Sequence, residues 1–129
     1  MIKIISISIV TVSVLFSSLV FAGGHSKGMY IHIINFNITG IDRSQYEAAA
    51  MKLTSVFAAV PGLKRKHWLA NEENNTYGGV YIFDSKESHD AFVESELYAG
   101  VRGNPSFSNF SGKSFENIDS LAKHTRGTE

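Results

Sequence analysis

The order in which hydrophobic periodicity changes along residues 29–118 is the strongest constraint on the fold. β-branched and aromatic residues dominate four short runs, at 29–36, 63–71, 76–83 and 107–118, which is typical of strands. Apolar residues at three- and four-residue spacing separate the first run from the second and the third from the fourth, which indicates two helices. The chain therefore predicts an α+β, ferredoxin-like βαββαβ fold, with a four-stranded antiparallel sheet and two helices on one face.

Local signals set the expected element boundaries. Asp42 precedes Gln45 by the three-residue spacing of a capping box, which predicts the start of a helix. The apolar stripe that follows predicts a helix of about 18 residues, which ends before the Pro-Gly pair at 61–62. Asp84 is expected to cap the second helix, which fades near Tyr98. The third strand contains Gly78-Gly79, which favours a close backbone approach or a bulge. A second bulge is expected near Ser111-Gly112, where the apolar alternation fails.

The first 22 residues have the layout of a secretory signal peptide. Lys3 is followed by an uncharged run from Ile4 to Phe21, and Ala22 supplies the small residue before a cleavage site. An uncleaved anchor is the alternative, but Ser and Thr dilute a run that is near the ~18-residue minimum for spanning a membrane. We expect a periplasmic or secreted protein, free of the membrane after cleavage. Its predicted parts are a signal peptide (1–22), a flexible lead-in (23–28), a domain (29–118) and a polar tail (119–129).

Composition excludes several function classes. Lys and Arg number 12 and Asp and Glu also number 12, without a basic cluster, so nucleic-acid binding is not expected. The chain has no cysteine, so disulfides and thiolate sites are impossible. The five histidines lack the spacing of a metal site, and we predict no metal.

Apolar and aromatic residues on one side of two strands predict a homodimer. Helices cover only one face of such a sheet, and an uncovered aromatic face would be an exposed patch that a second copy could bury. We expect this aromatic face to be the uncovered one. Its members are Tyr30, His32, Ile34 and Phe36 on the first strand and Tyr77, Tyr81 and Phe83 on the third.

Several short motifs, in this order and spacing, resemble a known family. They are Pro61-Gly62-Leu63, Lys66-His67-Trp68, the run from Tyr77 to Phe83, and Lys113-Ser114-Phe115. Together they are similar to the YdhR-like monooxygenases of the dimeric α/β-barrel superfamily, which includes the antibiotic-biosynthesis-type monooxygenases. The resemblance implies a homodimer whose two sheets form a barrel. It also implies O₂-dependent oxidation of a small aromatic or quinol-type compound, with no cofactor.

Three residues are the candidates for catalysis in such an enzyme. His32 could act as a base, because an imidazole titrates near neutrality. Trp68 could stack on a flat ring, and Lys66 could pair with a phenolate or carboxylate. Each also has a structural interpretation: a core histidine, a packing tryptophan and a solvated lysine. His67 is expected to point away from Lys66 and Trp68, since side chains alternate along a strand.

Five further residues are candidates for binding the substrate, and they leave two alternative functions open. The candidates are Asn35, Phe36, Tyr81, Phe83 and His89. Haem-degrading members of the superfamily combine a helix His with Trp and Asn, so a haem protein using His89, Trp68 and Asn35 is one alternative. The structural alternative for His89 is an exposed helix residue with no role in binding. The other alternative is a binding module that holds a small aromatic ligand without catalysis.

Overall fold

The structure, a computed structural model, describes residues 28–128. The predicted signal peptide and all but the last residue of the predicted lead-in lie outside this range. The elements are β1 (Tyr30–Ile38), α1 (Arg43–Met51), α2 (Thr54–Ala58), β2 (Leu63–Asn71), β3 (Thr76–Phe83), α3 (Lys86–Val93), α4 (Glu96–Arg102), β4 (Phe107–Glu116), α5 (Asp119–Ala122) and a 3-10 turn (Lys123–Thr125). Within residues 28–128, no helix has the length and apolar character needed to cross a bilayer.

The four strands form one antiparallel sheet in the order β2-β3-β1-β4. The central strand β1 places His32 opposite Tyr81 of β3 and opposite Ser114 of β4. Residues directly opposite each other on antiparallel strands share a face, so these three side chains lie on the same side of the sheet. The predicted α+β, ferredoxin-like fold is confirmed.

Each predicted helix is two shorter segments, which corrects the expectation of a single long first helix. Between α1 and α2 the backbone tightens, and the Leu53 amide donates to the Ala50 carbonyl three residues back at 2.9 Å. Between α3 and α4 the Ser95 hydroxyl accepts from the Tyr98 amide at 3.2 Å. Ser95 therefore caps a new helix, because its side chain satisfies an amide that has no intrahelical partner.

The structure confirms the predicted cap of the first helix but not that of the second. Asp42 and Gln45 form the predicted capping box at the start of α1. The cap of α3 is Ser85, whose hydroxyl accepts from the Ser88 amide at 3.1 Å. Asp84, the predicted cap, instead accepts a hydrogen bond from the Ser88 hydroxyl at 2.8 Å. The prediction of Asp84 was therefore wrong by one residue.

The helices cover the aromatic face of the sheet, which contradicts our expectation that this face is open. Ile34, Tyr77 and Phe83 are at most 2 % exposed, and they pack with α1–α4 in one apolar core. The open face carries aliphatic residues instead: Ile31 lies opposite Ile82, and Ile33 opposite Val80. Both faces of β1 are apolar, so alternation alone could not tell which one the helices cover.

The backbone departs from regular strand geometry in β4 and in β3. β4 bulges at Asn109-Phe110, two residues before the expected site, since the register moves from Asn35–Ser111 to Asn37–Ser108. Asn109 takes a positive φ of 54° there. The predicted close backbone approach occurs at Gly78, as described below.

Residues 119–125, expected as part of a polar tail, form α5 and the 3-10 turn.

Gly78 is required where β3 approaches β1. Its φ is 153°, and a Cβ at this position would overlap the carbonyl oxygen of Ile34. We predict that Gly78→Ala lowers the free energy of unfolding by about 3 kcal/mol or more, because the added methyl must displace a central strand.

Urea denaturation followed by circular dichroism checks this prediction, with Gly100→Ala as the matched control. A Cβ at Gly100 meets open space in α4, so that variant should be neutral or slightly stabilised. Equal stability of the two variants would contradict the proposed close approach.

Candidate active site

An apolar cavity of about 350 Å³ lies between the sheet and the helices. Its volume is at the lower end of the ~300–1,000 Å³ typical of small-molecule sites, so it suits a small ligand. Rings and aliphatic side chains form most of its wall. The lining residues are Phe36, Tyr46, Ala49, Ala50, Leu53, Phe57, Lys66, Trp68, Gly78, Tyr81, Glu96, Leu97, Gly100, Val101, Asn104 and Phe107.

The Lys66 ammonium lies among three aromatic rings of this cavity. Its Nζ is 3.3 Å from the ring centroid of Trp68, 4.4 Å from that of Tyr81 and 4.9 Å from that of Phe57. The faces of the rings attract a cation, but burial removes its water. Desolvation dominates, and it lowers the pKa of Lys66 to about 7. The amine is therefore partly neutral near physiological pH.

Gly79 gives the Lys66 side chain room to fold inward. A Cβ at Gly79 would lie 2.8 Å from Lys66 Nζ and 3.1 Å from the ring of Tyr81. Any larger residue at this position would displace the amine or the ring. In the glycine pair that the sequence marked as a strand irregularity, Gly78 therefore leaves room for a neighbouring strand and Gly79 leaves room for the Lys66 side chain.

Two buried tyrosines border the same cavity. Tyr81 is 3 % exposed and Tyr46 is 8 % exposed. Burial raises the pKa of both phenols, that of Tyr46 to about 12, so both remain protonated. Buried hydroxyls ordinarily have a hydrogen-bond partner. Within residues 28–128 neither hydroxyl is hydrogen-bonded to another protein group, so an oxygen atom of a ligand or a water molecule would satisfy them.

A second polar cluster lies outside the cavity lining, under α3 and α4. His32 Nε2 is 2.9 Å from the Tyr98 hydroxyl, and His32 Nδ1 is 2.9 Å from Ser114 Oγ. His89 Nε2 is 2.8 Å from the same Ser114 Oγ, and His89 Nδ1 is 2.8 Å from Asp90 Oδ1. One set of donors satisfies every link: Tyr98 donates to His32, which donates to Ser114, which donates to His89, which donates to Asp90. We call these five residues the histidine relay.

The histidine relay keeps His32 neutral. Burial, and secondarily the nearby His89, lower the pKa of His32 to about 4. Protonation would place a second donor on a ring whose two nitrogens already face protein groups. His32 therefore serves as a hydrogen-bonded core residue and not as a base that a ligand in the cavity can reach.

The structure places four of the eight predicted site residues at the cavity. Phe36, Lys66, Trp68 and Tyr81 all border it. As predicted, His67 lies on the opposite face of β2 from Lys66 and Trp68, since it pairs with Val80.

The other four predicted residues lie elsewhere. His32 and His89 are in the histidine relay. Phe83 is fully buried, with its ring 5.8 Å from that of His89. Asn35 lies on the open face of the sheet, since the side chains on either side of it along β1 are buried beneath the helices. His89 is 5 % exposed, so the interpretation of it as an exposed helix residue was wrong.

Sequence reasoning missed several residues of both sites. Tyr46 and Phe57 reach the cavity from α1 and α2, and Phe107 reaches it from the start of β4. Tyr46 and Phe57 belong to the apolar stripe that predicted the first helix, but that stripe could not show which buried residues border an empty space. Tyr98 and Ser114 meet His32 only through long-range strand pairing and the break between α3 and α4.

The fold and the cavity agree with a family match. A family model described as "Putative mono-oxygenase ydhR" matches residues 31–128. The chain belongs to the YdhR family. The match covers the sheet, the helices that pack on it and the cavity. No curated protein matches the chain significantly.

Solved structures share this fold at low sequence identity. SnoaB from Streptomyces nogalater, a cofactor-independent oxygenase, is 14 % identical, with a TM-score of 0.58 over 73 % of this chain and 97 % of that one. An antibiotic biosynthesis monooxygenase candidate from Caulobacter crescentus is 14 % identical, with a TM-score of 0.58 over 73 % and 93 %. A mutant of MhuD with two manganese protoporphyrin IX molecules per active site is 19 % identical, with a TM-score of 0.55 over 69 % and 94 %.

The residues predicted for a haem site do not come together. Both ring nitrogens of His89 lie within hydrogen-bond distance of protein groups, so neither is free to ligate iron. Trp68 borders the cavity, whereas Asn35 lies on the other face of the sheet. Within residues 28–128, no histidine lines the cavity, and no cluster of His, Asp and Glu could hold a metal ion. The site therefore does not fit haem.

The histidine relay predicts a loss of stability in mild acid. His32 titrates near 6.5 when unfolded and about 4 when folded, so between these pH values the unfolded chain binds more protons. Unfolding free energy should therefore fall as the pH drops from about 6.5 to about 4, by at most about 1.4 kcal/mol per pH unit from this group. Urea titrations at successive pH values measure the slope.

A pair of variants isolates the contribution of His32. His32→Gln can retain polar contacts to Tyr98 and Ser114 without the titration, so its slope should be shallower than that of wild type. His67→Gln, at an exposed position, should keep the wild-type slope. Identical slopes for wild type and His32→Gln would contradict the buried neutral imidazole.

Proposed function

We propose that the protein is a cofactor-independent monooxygenase that oxidises a small, flat phenol or quinol-type compound in the apolar cavity. The observation that supports this most strongly is the position of Lys66, an amine among three rings with a pKa of about 7. Such an amine can remove a proton from a phenolic hydroxyl, because a useful base has a pKa near the working pH. Trp68 and Phe36 provide apolar surfaces against which a flat ring can pack.

The proposed reaction begins with proton transfer. Neutral Lys66 accepts the phenolic proton, and the ammonium that forms stabilises the phenolate by charge pairing in a site of low dielectric. The Tyr46 and Tyr81 hydroxyls, which have no protein partner within residues 28–128, are available to donate to the substrate oxygens. Lys66 thus takes the role of base that the sequence had suggested for His32.

Oxygen then reacts with the electron-rich anion. A ring carbon that carries one hydrogen becomes a carbonyl carbon by taking up one atom of O₂. The other oxygen atom leaves as water with the hydrogen from that carbon and the proton from the phenolic hydroxyl, and the product is a quinone. The substrate itself supplies all the electrons, and no external reductant is needed. The similarity in fold to SnoaB, described as a cofactor-independent oxygenase, supports a reaction of this type.

Oxygen uptake with a panel of dihydroxynaphthalenes, hydroquinones and hydroxylated cyclic ketones tests the proposal. We predict that Lys66→Met lowers kcat/KM by about 100-fold or more, because it removes both the base and the cation. Wild-type kcat/KM should rise with pH through about 7, as the Lys66 ammonium loses its proton. The measurement uses an oxygen electrode, and protein that has been heat-denatured serves as the autoxidation blank.

Lys64→Met is the matched control. Lys64 is an exposed neighbour on β2 that does not border the cavity, so its removal should leave turnover unchanged. Equal losses in both variants would contradict a specific role for Lys66. Tight binding of a phenol without oxygen uptake would show that the protein is a binding module and not an enzyme.

We also propose that two copies pack through the open faces of their sheets. Ile31, Ile33, Val80 and Ile82 are only partly buried on this face, and Phe115 is 46 % exposed. Covering this apolar surface would be favourable, because each Å² removed from water contributes about 25 cal/mol. The aromatic face, which was our first reason to expect a dimer, is already covered by helices. The aliphatic face now provides the argument.

Light scattering at micromolar concentration tests the dimer. We predict a dimeric mass for the wild type and a monomeric mass for Ile33→Asp, since a carboxylate at the centre of an apolar interface would lose its water. Met51→Asp, at a 69 % exposed apolar residue of the helical layer, should remain dimeric. A monomeric wild type would exclude the proposed interface.

The place of action we propose is the periplasm or the exterior of the cell. Three sequence features support this proposal: the positive charge of Lys3, the uncharged apolar run from Ile4 to Phe21, and the small residue Ala22 before the expected cleavage site.

A further inference from the structure

Lys66 differs from an ordinary surface lysine in its partners. Lys86 illustrates the ordinary case, because its ammonium is 2.8 Å from the Asp90 carboxylate. Within residues 28–128, no carboxylate lies within ion-pair distance of Lys66 Nζ, which instead lies over the rings of Trp68, Tyr81 and Phe57. The nitrogen borders an apolar cavity that has room for a ligand.

An amine in this setting has nucleophilic character. Desolvation disfavours the ammonium, so a larger share of the side chain carries a free lone pair. A lysine desolvated in an apolar pocket is also one of the recognised forms of an activated nucleophile, and its usual target is a carbonyl carbon. The cavity therefore has the elements needed for covalent capture as well as for proton transfer.

We propose that Lys66 is a carbonyl-reactive amine, whose Nζ condenses reversibly with a flat aromatic aldehyde held in the cavity. The three rings around the nitrogen favour a planar, electron-delocalised partner, and the small cavity favours one of modest size. Ala49, Ala50, Leu97 and Val101 make much of the wall from α1 and α4 aliphatic, which suits a flat ring better than a sugar or a peptide. Aromatic aldehydes are therefore the substrate class that the geometry fits.

The condensation is balanced without an oxidant or a reductant. The Lys66 lone pair attacks the carbonyl carbon, and the carbonyl oxygen takes up a proton to give a carbinolamine. Loss of one water molecule then forms the C=N bond, and addition of water reverses the reaction. An apolar cavity favours the imine, because it excludes bulk water that would hydrolyse it.

This activity does not depend on the proposed oxygenase reaction. Proton transfer from a phenol needs Lys66 only as a base, whereas imine formation needs it as a nucleophile. Either property can be present without the other, so the two proposals can fail separately.

Reductive trapping tests the proposal. The purified protein is incubated at about pH 7 with benzaldehyde and sodium cyanoborohydride, which reduces an imine to a stable benzyl amine. Peptide mapping by mass spectrometry then gives the rate of benzylation at each lysine. We expect Lys66 to be modified about tenfold faster than Lys64 or more, because burial leaves much of the Lys66 amine neutral at this pH and the cavity holds the aldehyde beside it.

Lys64 is the internal control, since it is an exposed lysine on the same strand of the same molecule. Lys66→Arg keeps a positive charge but cannot form an imine, so it should lose the fast-labelled site and leave Lys64 labelling unchanged. Equal labelling of Lys66 and Lys64 in folded wild-type protein would overturn the proposal, whether or not the variant folds. Fast Lys66 labelling without oxygen uptake would support the imine and count against the oxygenase. Oxygen uptake without fast labelling of Lys66 would support the oxygenase and overturn the imine proposal.

Discussion

Burial of large rings between the sheet and its helices is the interaction on which the rest of the structure depends. The helices are short, and isolated helices of such length are unstable in water, so packing must hold them. Phe36 and Phe107 stack at 3.9 Å, while Tyr46 contacts Tyr77 at 5.1 Å, which ties α1 and β4 to the centre of the sheet. Rigid rings cannot fill every gap, and the space that remains between them is the cavity.

The space beneath the helices is divided into two regions of different chemistry. One region is the apolar cavity, where Lys66 is an amine without a charged partner among the described residues. The other is the histidine relay, where every polar atom in the line from Tyr98 to Asp90 has a partner. Tyr81 lies between them, with its ring 6.5 Å from that of His32. A satisfied network stabilises a structure, whereas an unsatisfied group in an open space can bind a ligand.

The sequence predicted the fold better than it predicted the site. Strands β2 and β3 have the expected bounds, because strong alternation and a short turn define a hairpin locally. The break at Ser95 was missed, although a serine that can cap a helix is a visible signal. The choice between the two apolar faces of β1 depends on which side chains fit beneath the helices, and no local pattern contains that information.

The same limit applies to individual site residues. Lys66 and Trp68 were found because strand alternation places both on one face. His32 was predicted as a base and His89 as a ligand-binding residue, but their mutual contact at 3.2 Å joins residues that are 57 positions apart in the sequence. Periodicity describes the direction of a side chain from its own strand or helix. Periodicity does not show which side chains from another strand or helix will contact that side chain.

The position of β2 at the edge of the sheet has a consequence for solubility. An edge strand presents unpaired amide and carbonyl groups, and these can recruit a strand of another molecule into aggregates. Lys64 and Arg65 are exposed cationic residues of this strand, and like charges on two such edges repel each other. The segment that carries the cavity amine thus also protects the protein from edge-to-edge association. A relative that lost these charges while keeping the fold would need another device, such as a proline or a covering loop, to stay in solution.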